Sequence, residues 1–349
     1  MNEVSIDYSG KKVFIGIDVH IRQYTVTCRS DGEVVKKCTM PGYPDVLVNF
    51  VKKCFAKAQV FTAYEAGYSG FYLHWYLQEH GISNMVVHVG SIEMPKKKVK
   101  TDKRDSARIA KQLETGQLRS INVPSKEQEN RRLLHRTREQ LVRSRSRAMV
   151  QIRSKFHQFG LLKLEDRGPL TVSKVEGVLA QGVSEELEIS VKALLEVWCK
   201  LHEHIVVIDQ KLKLELSKDS LGRIYRQVPG FGRLISIILV NELGDMSQFT
   251  NEKCLFSYTG LTPSVYSTDK SEHLGHISRE GNSRLRHILV EAAWVAVRKD
   301  PEIAKAYHRI ALKAGKKRAI VGIARRLIGK ARALIRKKEV YRYELKQAA

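Results

Sequence analysis

Four acidic residues in the first third of the chain have the types and positions of a metal-ion site. Asp18 follows the apolar run at residues 13–17, and Glu65 ends the segment VFTAYE. An ionised carboxylate at the end of a buried strand is costly unless something binds it. Asp102 and Asp105 stand three residues apart in a segment with helical spacing, so they share one face. Hard divalent cations take oxygen ligands and act on phosphodiesters, so the four acids predict such a site.

The helix pair Asp102 and Asp105 also has a simpler explanation. The start of a helix favours negative charge through the helix dipole, so the two acids could cap the helix without any metal. Taken singly, each of the four acids admits a structural explanation of this kind. Their occurrence together in a strongly basic chain favours the metal-ion site. The basic neighbours of the helix pair are Lys100, Lys103, Arg104 and Arg108.

Hydroxyl groups offer a second kind of chemistry. Ser267 and Thr268 lie between two glycine-marked turns, in a segment that we predict to be a polar loop. A hydroxyl in such a loop is usually only a solvated side chain. His273 and His276 are near in sequence, yet no Ser-His-Asp arrangement is recognisable. The residues alone therefore assign no nucleophile.

The charge of the chain indicates a polyanionic partner. Its 349 residues carry a net charge of +24, which costs self-repulsion unless a polyanion neutralises it. Nucleic acid is the first candidate. The turn at Gly230 and Gly232 could direct backbone amides to a phosphate at a helix N-terminus, although a helix-connecting turn also explains it. The basic positions that we predict to contact phosphates are Arg143, Arg145, Arg147, Lys316, Lys317 and Arg318.

Composition argues against a membrane or secreted protein. No run of about 18 apolar residues occurs, and residues 1–12 are polar where a signal peptide would begin. The five cysteines include no CxxC pair, so a structural zinc site is not expected. An odd, scattered set suits reduced thiols, which predicts a cytoplasmic protein.

The elements that position the acids belong to an N-terminal domain at residues 1–123. Residues 13–30 predict two strands, the pair Asp31 and Gly32 predicts a hairpin turn, and residues 33–40 predict a third strand. Further strands then alternate with helices. This order predicts a mixed α/β layered domain.

Two long helices are predicted next. Residues 125–159 contain no glycine or proline and hold apolar residues among many arginines, and a second helix is predicted over residues 185–217. An antiparallel helical hairpin or coiled coil at residues 124–222 fits this pattern, and two ordinary core helices fit it too. Residues 223–349 predict a third domain, mostly α-helical and basic.

These motifs, in this order, resemble those of the DEDD transposases of insertion sequences, whose members work as bridge-RNA-guided recombinases. The resemblance covers nearly the full length. Its N-terminal part is carried by FIGIDVH with Asp18, YEAGYSGFYLHWYL with Glu65, and KVKTDKRDSARIAKQL with Asp102 and Asp105. Its C-terminal part is carried by VPGFGRLISIILVNELGDMSQF, FSYTGLTPSVYSTD and GHISREGNSRLRHILVEAAW.

The resemblance implies a fold, a chemistry and partners. The N-terminal domain is expected to be RuvC-like, with an RNase H fold, and its four acids to bind Mg²⁺. A serine of the C-terminal domain is expected to attack a DNA phosphodiester and form a covalent protein–DNA intermediate. The expected partners are donor and target DNA, a structured non-coding bridge RNA, and further copies of the chain in a dimer or tetramer. The expected location is the cytoplasm of a prokaryote, at the nucleoid.

The position of the nucleophile departs from the family pattern. The family's serine stands five residues after the proline of GLTP and is followed by glycine, but here that position is Thr268, followed by Asp269. Counting back from GHIS places the serine at Ser267, which a one-residue deletion would explain. We favour Ser267 because a primary hydroxyl is less hindered than that of Thr268. Ser278 is the third choice.

Two other functions fit the same sequence. A RuvC-like metal-dependent nuclease acting on branched DNA would need the four acids but not Ser267. A non-enzymatic nucleic-acid-binding protein would use the basic helices alone, and it would tolerate loss of all four acids.

Overall fold

We describe the protein from a computed structural model, which covers residues 7–337 apart from 68, 89, 91–101, 164, 269, 270 and 279. For residues 102, 103, 265–268 and 271–274 only the backbone is described. The chain forms two compact units, Met1–Val123 and Pro124–Ala349. The predicted division of the second unit between residues 222 and 223 stays a prediction. No helix in the described part combines the length and apolar character needed to cross a membrane.

The first unit is built on a five-stranded sheet of β1 (Lys12–Val19), β2 (Gln23–Ser30), β3 (Glu33–Pro41), β4 (Gln59–Glu65) and β5 (Ser83–Val87). The strand order is β3-β2-β1-β4-β5. The first three strands form an antiparallel meander, whereas β4 is parallel to β1 and β5 is parallel to β4. Asp31 and Gly32 have φ values of 54° and 83°, as the predicted hairpin turn requires.

The described part of this unit also contains three helices: α1 (Pro44–Cys54), α2 (Tyr72–Glu79) and α3 (Asp102–Glu114). The helical spacing of α1 buries Leu47 and Val51 in a core that also contains Ile15 and Ile17 of β1. Alternate residues of a strand point to opposite faces, and on the other face Ala63 of β4 packs in a second core with α3. The predicted mixed α/β unit is confirmed, and it is compatible with an RNase H-like domain.

The second unit begins with α4 (Lys126–Gln158), α5 (Val172–Leu179) and α6 (Glu185–Lys218). Arg138 of α4 contacts Asp209 of α6, and Arg145 further along α4 contacts His202 earlier in α6. The two long helices therefore run antiparallel, as predicted. The segment at residues 168–184, which lies between the two long helices, contains α5, which buries Val175 in the core of this hairpin.

The rest of the second unit is mostly helical, as predicted. Its largest core is formed by residues such as Leu239, Ala292 and Ala324, which lie on three different helices. The elements are α7 (Ser220–Tyr225), α8 (Arg233–Leu243), α9 (Glu252–Tyr258), β6 (Pro263–Thr268), β7 (Ser271–Ile277), α10 (Ser283–Lys299), α11 (Pro301–Ala314) and α12 (Lys316–Lys337).

The segment around Ser267 forms a β-hairpin and not the predicted polar loop. β6 pairs antiparallel with β7, and both Ser267 and Thr268 belong to the paired part of β6. Serine, glycine and aspartate in this segment suggested a loop. Val265 and Tyr266, however, belong to the β-branched and aromatic types that favour strands. The prediction of a loop was therefore wrong.

Candidate active site

The register of the sheet brings Asp18 and Glu65 together. β1 and β4 are parallel, with Ile17 opposite Tyr64. One residue further along the same register, Asp18 meets Glu65 at the carboxyl ends of the two strands. Residues that face each other across paired strands have side chains on the same side of the sheet. The two strand acids predicted from separate segments therefore share one edge and one face.

Helix α3 lies directly on this face because β1 has a glycine beneath it. A Cβ atom at Gly16 would lie 2.1 Å from the backbone oxygen of Ser106. The hydroxyl oxygens of Ser106 and Thr27, on β2, are 2.9 Å apart in a buried hydrogen bond. Asp18 is two residues beyond Gly16 and so on the same face, and Asp105 precedes Ser106. This close contact brings the helix of Asp105 onto the face of Asp18.

An ion pair fixes the other end of α3. Glu114 accepts hydrogen bonds from Arg29 Nε at 2.6 Å and from the backbone amide of Gly32 at 2.8 Å. The side chains of Arg29 and Glu114 are only 14% and 13% exposed, and charge-assisted hydrogen bonds are strong when water is excluded. The hairpin turn of β2 and β3 thus helps to hold α3 in place along the sheet.

Asp105 has a buried oxygen that no described residue satisfies with a hydrogen bond. Within the described part of the chain its Oδ1 accepts no hydrogen bond, although Nη1 of Arg108 lies 3.1 Å away in an ion pair that lacks hydrogen-bond geometry. Buried polar atoms are normally satisfied, so each exception asks for an explanation. A buried carboxylate oxygen on the helix that packs over the face of Asp18 is the kind of ligand that a hard cation takes.

The four predicted acids have the ligand chemistry of a divalent-cation site. Carboxylate oxygens are the protein ligands that Mg²⁺ prefers. Within the described residues, however, no group of three or more His, Cys, Asp or Glu side chains could hold a metal ion. Asp102 opens α3, three residues before Asp105, and its side chain lies outside the described part. The role of the four acids as metal ligands therefore stays a prediction.

His20 is a polar neighbour of this site that the sequence analysis did not single out. Its Nε2 lies 3.4 Å from Oδ2 of Asp18, and the two side chains are 48% and 20% exposed. An imidazole in this position can orient the carboxylate. The spacing of two residues along an extended segment, which returns side chains to the same side, was the available signal.

The candidate nucleophiles lie in the second unit. The backbones of Ser267 and Thr268 pair with β7, and their side chains lie outside the description. Ser278 is described more fully: its backbone amide donates to the oxygen of Thr262 at 3.0 Å, and its hydroxyl accepts from the amide of Glu280 at 3.4 Å. These contacts make Ser278 part of the turn after β7, and the choice among the three hydroxyls stays a prediction.

The three arginines of α4 that were predicted to contact phosphates differ in their surroundings. Arg143 is exposed and forms an ion pair one turn back along the helix. Arg147 is exposed as well. Arg145 donates to Nδ1 of His202 at 2.9 Å, and its guanidinium lies 5.6 Å from the ring centroid of Trp198. Arg145 therefore contributes to the packing of α4 on α6, whereas the other two arginines face solvent.

Gly230 has a structural explanation. Its φ is 84°, and a Cβ there would lie 2.2 Å from the backbone oxygen of Ala292 in α10, so only glycine fits the turn and the close packing. Gly232, the N-cap of α8, is not crowded in this way. The predicted phosphate-contacting residues that open α12 are all exposed: Lys316, Lys317 and Arg318.

A buried charged cluster joins α4 to α8, and the sequence analysis missed it. Glu242 is fully buried; it accepts from Arg136 at 3.0 and 3.1 Å and pairs with Nε2 of His135 at 3.0 Å. Arg132 donates to the backbone oxygens of Asn241 and Glu242 at 3.0 and 2.9 Å. Burial raises the pKa of Glu242, but the hydrogen bonds from His135 and Arg136 and the arginine charges outweigh it and lower that pKa to about 2.

We expect Glu242→Gln to lower the free energy of unfolding by about 3–5 kcal/mol at neutral pH, because it leaves cations without their anion. Since the pKa of Glu242 is lowered, the cluster stabilises the fold fully above the ordinary value of 4.5 and loses its effect as the pH falls towards about 2. Urea unfolding across this range should therefore show a steeper loss for the parent than for the variant.

The control for this prediction is Glu203→Gln. It removes an exposed ion pair with Lys200 on α6, and such pairs contribute at most about 1 kcal/mol. Equal losses of stability in the two variants would show that the buried cluster contributes no more to the free energy of unfolding than an exposed ion pair does.

Comparison with known proteins gives the same family in both halves of the chain. A family model described as "Transposase IS116/IS110/IS902 family" matches residues 222–309. A second model, for the DEDD transposase domain of the same group and described as "Transposase", matches residues 15–160. Together the two models match more than half of the chain. The DEDD transposase domain family is typically dependent on divalent metal ions.

Individual relatives are similar over most of their length. The transposase for insertion sequence element IS1111A of Coxiella burnetii is 25% identical over 281 residues, 77% of this chain and 76% of the relative. The transposase for element IS1533 of Leptospira borgpetersenii is 25% identical over 301 residues, 81% and 85% of the two chains. The transposase for element IS1328 of Yersinia enterocolitica is 28% identical over 203 residues, 56% and 58%.

Proposed function

Because the chain belongs to the DEDD transposases of insertion sequences, we propose that it cuts and rejoins DNA strands as a bridge-RNA-guided recombinase. The observation that supports this most strongly is the arrangement of the acids: Asp18 beside Glu65 at one sheet edge, with Asp105 on the helix packed over the same face. The strand order supports an RNase H fold of the RuvC type for the first unit.

In this proposal Asp18, Glu65, Asp102 and Asp105 hold Mg²⁺. When bound there, Mg²⁺ would neutralise the reacting phosphate and stabilise charge on the attacking and leaving oxygens. The chain's own residues set the geometry. In the proposal the strand acids provide oxygens from the sheet edge and the helix acids complete the site. The packing of α3 on Gly16, which lies on the face of Asp18, supports this arrangement.

The proposed nucleophile is Ser267, with Thr268 as the second choice. Its Oγ forms a bond to the phosphorus of a DNA phosphodiester, the bond to one sugar oxygen breaks, and that oxygen leaves as a hydroxyl after taking up a proton. A second transesterification passes the strand to a new sugar hydroxyl and returns the serine. Each step exchanges one phosphodiester for another, so no ATP is required.

The partners follow from the same proposal. DNA and a structured RNA supply the polyanions that a net charge of +24 calls for. Oligomerisation is supported by large apolar side chains that α6 leaves exposed, which a second copy of the chain could cover. They are Ile189, Val197, Val207 and Leu214. A cytoplasmic location at the nucleoid of a prokaryote suits this set of partners.

A metal-dependent nuclease is the second candidate. The carboxylate site of a DEDD domain can activate water without any serine, which favours hydrolysis of branched DNA. A protein that only binds nucleic acid is less well supported, because the chain belongs to a family of transposases.

The experiment that tests the proposal combines purified protein, donor and target duplexes, Mg²⁺, and the non-coding RNA transcribed from the DNA that flanks the gene. We expect joined strands only when both duplexes and the RNA are present. Reversing charge at Arg143 and Arg147 should weaken RNA binding and lower its salt slope by about 2, since each phosphate contact contributes about 1.

Two comparisons make this experiment decisive. Lys305→Glu removes an exposed lysine of α11 that pairs with Glu302, and it should leave RNA binding close to that of the parent. Recombination at full rate without any RNA would reject guidance while leaving the transposase activity intact.

A further inference from the structure

A small pocket opens where α4, α6 and α8 meet in the second unit. Its volume is about 210 Å³, which is below the roughly 300 Å³ at which pockets for drug-sized molecules begin. It is lined by both charged and apolar side chains. The pocket is therefore of a size for one ring system and not for a large cofactor.

One wall of the pocket is a guanidinium held in a fixed plane. Arg138 of α4 donates to Asp209 of α6 through Nε and through Nη2, the latter at 3.2 Å. This two-point contact is the geometry in which arginine and carboxylate pair most specifically. A guanidinium fixed in this way presents a flat face on which a nucleobase can stack.

The opening of the pocket is positively charged. Lys213 of α6 and Arg233, the first residue of α8, are exposed and line it. Neither forms an ion pair with any residue that the structure describes. The negative charge of Asp209 is neutralised by Arg138. The pocket therefore keeps two positive charges at its mouth, where they can contact phosphates.

The floor of the pocket is apolar. Leu212 and Ile237 are buried there and belong to the small core between α6 and α8, and Leu234 packs against them. An apolar surface beside a fixed guanidinium suits a base, and cations at the mouth suit the phosphates on either side of it. Unpaired nucleotides are recognised in this way, by stacking together with backbone charge.

We propose that this pocket binds one unpaired nucleotide of a nucleic-acid strand, with its base on the Arg138 face and its phosphates at Lys213 and Arg233. The inference rests on the proposed function in that the chain acts on nucleic acid. It adds a site in the second unit that is separate from the acidic residues. The unpaired nucleotide can come from RNA or from DNA, and the two sources are separated by the test.

The test measures binding of single-stranded oligonucleotides by fluorescence anisotropy, without Mg²⁺, so that no cleavage occurs. The probes are oligo-dT, oligo-rU, and a chain of abasic sugar phosphates of equal length and charge. Arg138→Lys keeps the charge but loses the planar guanidinium. It should reduce the preference for bases over abasic chain at least about fivefold. The oligonucleotide that shows the larger reduction identifies the source as RNA or DNA.

The mouth is tested separately. Lys213→Ala with Arg233→Ala should lower the salt slope of binding by about 2. The matched control is Lys211→Ala, an exposed lysine of the same helix that does not line the pocket, which should keep the parent's preference for bases. Thermal unfolding of each variant shows that the fold is retained.

Two results would overturn the inference: an unchanged preference for bases in Arg138→Lys, or an unchanged salt slope in the double variant. Because binding is read without cleavage, the pocket can be rejected while recombination stands. Recombination can equally fail while the pocket binds its nucleotide.

Discussion

Asp105→Asn should abolish DNA strand cleavage, with a fall of at least about a thousandfold, while the protein stays folded and still binds nucleic acid. The substitution keeps the shape of the side chain and removes its negative charge. Its Oδ1 is buried and accepts no hydrogen bond from the residues that the structure describes, so the substitution weakens only the ion pair with Arg108 there. The loss of a metal ligand is expected to remove several kcal/mol of transition-state stabilisation, and each 1.36 kcal/mol is a factor of ten in rate.

The control for this result is Asp45→Asn. Asp45 is an exposed acid in the first turn of α1, in the same unit, on a helix that packs against the opposite face of the sheet from α3. It should leave cleavage within about twofold of the parent. Anisotropy with labelled duplex DNA measures binding, and urea unfolding checks the fold of both variants. If Asp105→Asn cleaves as well as Asp45→Asn over a range of Mg²⁺ concentrations, the carboxylate site is rejected, and with it both enzymatic candidates.

Much of the first unit could be predicted from local sequence signals. The apolar run before Asp18 indicated a strand, and Asp31 with Gly32 indicated the hairpin turn. What could not be predicted was long-range contact. The adjacency of Asp18 and Glu65 depends on a parallel register between strands about forty residues apart in sequence. The close packing of α3 on β1 depends on the absence of a Cβ atom at Gly16. Both are properties of packing that no local pattern encodes.

In the second unit the long helices were predictable because their spacing repeats over many turns. The β-hairpin around Ser267 was missed because its residues mix strand-forming and turn-forming types over a short span. The buried cluster of Glu242 was missed for another reason. A single acid in the apolar segment ILVNEL, Glu242, was visible, but its partners lie on α4, more than one hundred residues earlier.

The structure also changes which basic residues are the better candidates for phosphate contact. Arg143 and Arg145 are two residues apart and identical in type, yet one faces solvent and the other packs on Trp198. Charge density along a sequence therefore indicates a polyanionic partner without identifying the contacts. The solvent-facing arginines and the cations at the mouth of the α4–α6–α8 pocket are the better candidates for phosphates.

Ser267→Ala should form no covalent adduct with DNA, although the protein should still fold and still bind nucleic acid. A serine hydroxyl has a high pKa and attacks phosphate poorly by itself, so a neighbouring cation or base has to assist it. When the assisted hydroxyl is absent, the phosphodiester has no protein group to join. A denaturing gel of end-labelled DNA detects the covalent adduct directly, because in the parent protein the labelled band should shift by the mass of the protein.

The controls separate the possible nucleophiles and the two enzyme classes. Ser264→Ala removes another hydroxyl of β6, one that donates to the backbone oxygen of His276 at 2.9 Å, and it should leave the adduct in place. An adduct that persists in Ser267→Ala and disappears in Thr268→Ala would assign the reaction to Thr268. A parent protein that gives water-cleaved ends and never an adduct would make the chain a metal-dependent nuclease. The carboxylates of the first unit would then carry the whole reaction.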